Sequence, residues 1–278
     1  MRPFGLHLSI SGGLHLALEK ALELKVTALQ IFLKNSNRWE SKPYTESEIK
    51  KFLEVQARSK LKIFAHSGYL INLAGEGEFL KKSKILLKDE LKRASLLKIK
   101  YLVLHPGNHK GQGEEKGISN IIESLDSIFQ ETDSETDILL ENTAGQGTSL
   151  GHKFEHLQNI ISGSKYSSRL KICLDTCHTF AAGYNFSTPE ETDLTMKAFD
   201  KFIGFEKLKL IHLNDSKKDF NSKVDRHEHL GQGFIGSPSL KSFVNYQPIK
   251  NVPLILETPK ENEDEADKKN LSFLKKII

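Results

Sequence analysis

Cysteine is scarce in this chain. Only Cys173 and Cys177 occur among 278 residues, too few for a disulfide framework, and the CLDTC spacing is not a zinc-type C-x-x-C pair. Both are expected to be small buried hydrophobes in a reducing compartment, which points to the cytoplasm. Long apolar runs are missing as well, so no segment reaches transmembrane length. The opening MRPFGLHLSISGG has no apolar core followed by a small-residue cleavage site, so export is not expected. Nor is there a strong excess of one charge. Forty basic and 36 acidic side chains leave a net charge of +4, a mildly basic balance that argues only weakly for a nucleic-acid partner. Lysine runs such as KKSK at 81–84 are expected on solvated faces. With no strong repeat, low-complexity segment or linker, residues 1–278 are expected to form one domain, a length that buries a sizeable core.

Short aliphatic and β-branched runs alternate with longer amphipathic stretches. Strands are predicted at 5–10, 28–33, 62–66, 101–105, 138–142, 170–175, 208–215 and 252–258. Helical patterns include 15–24, 79–97, 118–130, 194–203 and 265–278. Strands buried on both faces and separated by helices imply a parallel sheet. Eight such runs predict an α/β fold of the (β/α)8 TIM-barrel type. A doubly wound open sheet is the alternative, but no G-x-G-x-x-G follows the first strand.

Polar residues gather where these strands end. His66, His105, Glu141 and Asp175 close the third to sixth runs, with His178 three residues further on. His212 lies near the end of the seventh, Asp225 and His227 follow in the loop behind it, and Glu257 closes the eighth. In this fold that is the C-terminal face, where active sites sit. Imidazoles and carboxylates are the ligand set of zinc and similar divalent ions. A single strand-end histidine is more often an ordinary hydrogen-bonded residue, and a strand-end carboxylate is often a helix cap. On that ground His7, His15, His109, His152, His156 and His229 are read as ordinary. Nine such groups on one face are different, because they are costly to gather without cations to neutralise them. The glycines of ENTAGQG (141–147), HPGN (105–108) and HLGQG (229–233) let the backbone turn beside them.

The motifs GLHLSISGGL, HSGYLINLA, LHPGNH, LLENTAGQG, CLDTCHTFAAGYN, IHLNDSK, DRHEHLGQG and LILETP span nearly the whole chain. In that set and order the sequence resembles endonuclease IV, the zinc-dependent apurinic/apyrimidinic endonucleases (family 2) of DNA base-excision repair. The resemblance implies three Zn2+ ions per chain. His66, His105 and Glu141 would hold one. Glu141 would share the second with Asp175, His212 and Glu257. His178, Asp225 and His227 would hold the third. Three zincs carry about six positive charges against roughly four from the ligand carboxylates, so the site would attract a phosphodiester. Zinc lowers the pKa of bound water to about 7, and Glu257 would hold the attacking water in position, with Glu141 bridging.

The resemblance further implies double-stranded DNA as partner, incision 5′ to an abasic site leaving a 3′-hydroxyl and a 5′ deoxyribose phosphate, and removal of blocked 3′ ends. A monomer without membrane contact is expected, since one barrel face binds the DNA. An abasic nucleotide is the cheapest to flip from the helix. Tyr69 resembles the family position that enters the DNA at the lesion, where an aromatic wedge fills a gap. The loop 33–39 offers Lys34, Asn35, Arg38 and Trp39 to DNA; the inserted arginine expected there is Asn37, with Arg38 beside it. Arg226 and the loop 212–220 are candidate phosphate contacts. Two rival readings are a metal-dependent sugar isomerase on the same barrel and a non-catalytic DNA-binding relative. The D-R-H and D-T-C-H motifs count against the first, and the completeness of the ligand set against the second.

Overall fold

The computed structural model describes residues 2–278. Eight parallel strands close into a barrel: β1 (Phe4–His7), β2 (Ala28–Phe32), β3 (Lys62–His66), β4 (Tyr101–Leu104), β5 (Asp137–Glu141), β6 (Leu170–Asp175), β7 (Leu208–His212) and β10 (Leu254–Leu256). Between the last two lies a short antiparallel ribbon of β8 (Asp215–Ser216) and β9 (His227–Glu228). The strands follow one another around the barrel, and β10 closes it against β1, with Phe4 opposite Leu254 and Leu6 opposite Leu256. This is the predicted (β/α)8 TIM barrel.

Helices α1 (Leu14–Glu23), α2 (Glu46–Arg58), α3 (Gly77–Leu96), α4 (Glu114–Gln130), α5 (Phe154–Gly163), α6 (Thr176–Ala182), α7 (Pro189–Phe202), α8 (Gly236–Val244) and α9 (Glu263–Ile277) connect the strands and close the chain. Local sequence starts several of them. Thr45 and Thr188 begin α2 and α7 with reciprocal capping boxes to Glu48 and Glu191. The apolar face of each long helix packs on the strands, and Phe52, Phe154, Phe199 and Phe243 are fully buried in that layer. Among the described residues no helix is long and apolar enough to cross a membrane.

Inside the barrel sits a separate layer made of Ala28, Phe64, Val103, Leu139, Cys173, Leu210 and Ile255. Cys173 belongs to it, and Cys177 is also buried and free, as expected of small hydrophobes.

Three strand predictions need correction, and of the last run, 252–258, only Leu254–Leu256 is strand. The first strand stops at His7 rather than at residue 10, where the chain turns toward α1. The run 208–215 is not one strand, because β7 ends at His212 and Asp215 starts the ribbon. The break has a polar cause. The buried Asp215 carboxylate accepts N–H bonds from Gly231 and Gly233 at 2.9 and 3.1 Å and from Ile235 at 3.0 Å. A Cβ on Gly233 would lie 2.3 Å from the Ser216 carbonyl and 2.5 Å from the Asp215 carboxylate. The glycines behind Asp225 and His227 therefore wrap their loop around Asp215 and pin it over the barrel.

Candidate metal centre

Side chains alternate along a strand, so a residue two positions beyond an interior one points into the same lumen, one layer higher. Applied to the interior layer, this rule takes Phe64 to His66, Val103 to His105, Leu139 to Glu141, Cys173 to Asp175, Leu210 to His212 and Ile255 to Glu257. It also takes Ala28 to Gln30 and Gly5 to His7. Each strand thus supplies one polar residue to the layer at its C-terminal end. The loops add His178 from α6, and Asp225 and His227 from the segment held by Asp215.

All nine predicted ligands come together there. Glu141, fully buried, lies at the centre: one oxygen is 3.2 Å from His66 Nε2 and 2.9 Å from His105 Nε2, and the other is 2.9 Å from His212 Nδ1. His212 Nδ1 is also 3.1 Å from Glu257 Oε2 and 4.0 Å from Asp175 Oδ2. Across the mouth, Asp225 lies 3.1 Å from His178 Nε2 and 3.5 Å from His227 Nε2. Asp175 does two jobs, because its Oδ1 also caps α6 by accepting the His178 N–H at 2.7 Å.

The donor set fits metal ions. His66 Nδ1 donates to Ser67 O at 2.8 Å, His178 Nδ1 to Asn142 O at 2.9 Å, His227 Nδ1 to Glu257 O at 3.0 Å, and His212 Nε2 to Gln30 Oε1 at 2.8 Å. Each of these bonds fixes one ring proton and turns the other ring nitrogen toward the centre, where it offers a lone pair once its own proton is lost. His178 Nε2 and His227 Nε2 are buried without a hydrogen-bond partner among the described residues, although Asp225 lies near both. Two lone pairs and a carboxylate aimed at one point need a cation between them. Burial works to raise the carboxyls of Glu141 and Glu257, yet the neighbouring histidines, His212 foremost, outweigh it and hold both well below the usual range. Burial likewise opposes the charged forms of His178 and His212, but Asp175 and Asp225 beside the first, and Cys173, Glu257 and Glu141 beside the second, raise both well above an ordinary histidine. Protons on imidazole thus balance the carboxylates in the metal-free protein. Cys173 also lies beside Glu141 and His212, but burial pushes its thiol up to about 12, so it stays a neutral interior side chain.

Two residues of this layer escape a reading based on ligand types. His7, read as ordinary, lines the cavity, and its Nδ1 lies 3.1 Å from Glu257 Oε1. Gln30 donates to the same oxygen at 2.6 Å and approaches His7 Nδ1 at 2.9 Å. Together they clamp Glu257, while Asn214 Oδ1 accepts its backbone N–H at 2.8 Å. The signal was present in the sequence: His7 stands at a strand end just as His66 does.

The layer opens into a cavity of about 410 Å3, with Tyr69, Arg226 and Lys260 among the groups at its mouth. Tyr69 is 66% exposed, its ring edge-on to Phe32 at 5.3 Å. Asn35, Asn37 and Arg38 are exposed on the neighbouring loop. Lys34 is not a rim residue. It is buried and turned inward, donating to the carbonyls of Arg38 and Trp39. Trp39 is half-buried and packs edge-on against Phe79 of α3 at 5.2 Å. His229 lies outside the ligand set, its Nδ1 tied to Asn270 at 3.0 Å.

Known proteins resemble this chain to differing degrees. Residues 18–277 match the family described as "Xylose isomerase-like TIM barrel". A "Probable endonuclease 4" of Trichlorobacter lovleyi is 45% identical over 276 residues, covering 98% of both chains. The crystal structure of endonuclease IV from Thermus thermophilus superposes with a TM-score of 0.86 at 35% identity, covering 99% of each chain. A D-tagatose 3-epimerase-like protein has a TM-score of 0.74 at 20% identity, covering 99% of this chain and 98% of that one, which is a likeness of fold alone.

Proposed function

The chain belongs to the endonuclease IV family, and from that membership we propose that it is a DNA-repair endonuclease acting on double-stranded DNA at abasic sites. It hydrolyses the phosphodiester on the 5′ side, leaving a 3′-hydroxyl and a 5′ deoxyribose phosphate, and it clears blocked 3′ ends. The observation that carries this reading is the complete layer of nine candidate ligand residues, with buried imidazole nitrogens at His178 and His227 that face Asp225 but have no hydrogen-bond partner among the described residues. His66, His105 and Glu141 would hold one zinc, Glu141, Asp175, His212 and Glu257 the second, and His178, Asp225 and His227 the third. Bound zinc supplies an activated water at neutral pH and neutralises charge on the phosphate and the leaving oxygen.

The protein's own groups do the rest. Glu257, clamped through Oε1 by Gln30 and His7, presents Oε2 to the centre, where it orients the attacking water. Glu141 holds three histidines in mutual register. Tyr69 fills the gap left when the abasic nucleotide leaves the stack, and Asn35, Asn37 and Arg38 hold the strand beside it. Arg226 meets a backbone phosphate. Selectivity follows because an intact nucleotide costs a few kcal/mol more to flip than an abasic one. The protein works as a monomer presenting one barrel face to the duplex.

The test is a cleavage assay on a short duplex with one abasic site beside an undamaged control, with zinc counted in the same preparation. Incision only at the lesion, with about three zincs per chain, is expected. Full zinc occupancy without incision overturns the reading and returns the sugar-isomerase or non-catalytic alternatives.

A further inference from the structure

Glu90 is a fully buried carboxylate, 1% exposed, on α3. It lies outside the ligand layer. Its hydrogen bonds among the described residues go to one backbone group: both oxygens accept from the Gly68 N–H, at 3.1 and 3.3 Å. Burial pushes its carboxyl up to about 7. Lys34 and His66 lie near enough to favour its charge, yet the group its oxygens bind is that N–H, so burying the carboxylate is costly unless that N–H has to be held.

What it holds is the loop after β3, which carries Tyr69. The next residue, Tyr69, donates its N–H to Ser36 O at 3.1 Å, across to the loop after β2. A Cβ on Gly68 would lie 3.0 Å from Ser36 O and 3.2 Å from Glu90 Oε1, so a larger residue there would push the two loops and the helix apart by a few tenths of an ångström. The second loop is tied down from within. Buried Lys34 holds the carbonyls of Arg38 and Trp39. One turn along α3 from Glu90, Arg93 donates to Ser41 O at 3.1 Å and Lys42 O at 3.0 Å, and Trp39 packs on Phe79 of the same helix.

We propose that Glu90 is a positioning residue that locks the loop after β3 to the loop after β2, so that Tyr69 and residues 35–38 meet DNA as one preformed unit braced on α3. This rests on the reading of those side chains as lesion contacts. Ordering two loops in advance removes that entropic cost from binding, so the effect belongs to affinity rather than to the chemical step.

Glu90→Leu removes the acceptor at similar size, and Glu90→Gln keeps an oxygen that accepts from Gly68. In the zinc-loaded protein, Glu90→Leu is expected to speed amide hydrogen exchange at 67–72 and also at 35–39, and to weaken binding to an abasic duplex roughly tenfold with zinc content unchanged. Glu90→Gln is expected to restore slow exchange and binding. Added to Tyr69→Ala, Glu90→Leu is expected to cost little more, because the two act through one element. Faster exchange confined to 67–72, loss of zinc, or fully additive losses would overturn the proposal. Normal lesion binding by Tyr69→Ala alone, with coupled exchange retained in Glu90→Leu, would remove Tyr69 as the wedge and leave the loop coupling standing.

Discussion

The barrel mouth and the Glu114–His152–His156 cluster on its flank draw on the same side-chain types, and in both places groups of three offer ligand atoms within 4.8 Å of one another. They differ in what neutralises the acid. On the flank, Lys153 Nζ sits 2.9 and 2.8 Å from the two Glu114 oxygens. The Gly151 N–H occupies His156 Nδ1, so the proton of that ring is on Nε2 and goes to Glu114 at 3.1 Å. The protein supplies its own cation and uses up the lone pair. At the mouth, no lysine or arginine among the described residues pairs with Glu141, Asp175, Asp225 or Glu257, and the histidines point lone pairs inward. Residue type alone does not make a metal centre. What separates the two places is the lysine that pairs with the acid on the flank.

The largest break in this comparison is expected from Glu257→Gln. It should still bind abasic DNA but cleave it at least about 100-fold more slowly. Near-normal turnover in a single-turnover assay would remove Glu257 from the mechanism. Next comes ligand loss. His178→Ala or His227→Ala should lower the bound zinc by about one per chain, whereas His152→Ala and His156→Ala should leave the count unchanged. Zinc counted by atomic absorption decides, and a loss in the flank variants would make that cluster a fourth site. Because His178 and His212 are raised well above ordinary histidine by the groups around them, zinc uptake must displace protons. Uptake at neutral pH should therefore acidify a weakly buffered solution.

A smaller effect is expected from Gln30→Leu, which frees Glu257 Oε1 and the His212 ring from their shared partner. A loss of roughly tenfold to 100-fold in zinc affinity or turnover is the range for such supporting partners. An unchanged kcat and zinc count would show the clamp to be dispensable. The smallest belongs to the flank. Glu114 is lowered to about 2, chiefly by the hydrogen bond from Lys153. A depressed carboxyl stabilises the fold above its unfolded value and loses that contribution as pH falls toward 2. The group is 40% exposed, so the loss in Lys153→Ala should stay below about 1 kcal/mol. Thermal melts at pH 7 and pH 3 should show the variant weaker at both, with the smaller difference at pH 3.

Much of this site was legible along the chain. His66, His105, Glu141, Asp175, His212 and Glu257 could be placed because each stands at the end of a run whose alternation is local. His7 obeys the same rule but lacks a ligand role, so residue type hides it. Gln30 is not a common ligand type and gives no signal of its own. Lys34 reads as a rim cation because charge normally seeks water. It turns inward since two carbonyls of its own loop need a donor there. Glu90 lies within an amphipathic helical pattern, where a glutamate ordinarily faces solvent.

What the sequence by itself determined is the order of strands and helices, the interior layer, and the ring of polar residues two positions above it. Those follow from a period of two and from burial, which act between near neighbours. Only the tertiary structure decided which of these groups meet. Barrel closure joins β1 to β10 and so brings His7 onto Glu257. Asp215 gathers the N–H groups of a distant loop and lowers Asp225 and His227 onto His178. Whether a carboxylate finds a lysine, as Glu114 does, or only imidazoles, as Glu141 does, depends on distances across the barrel, which local sequence pattern cannot set.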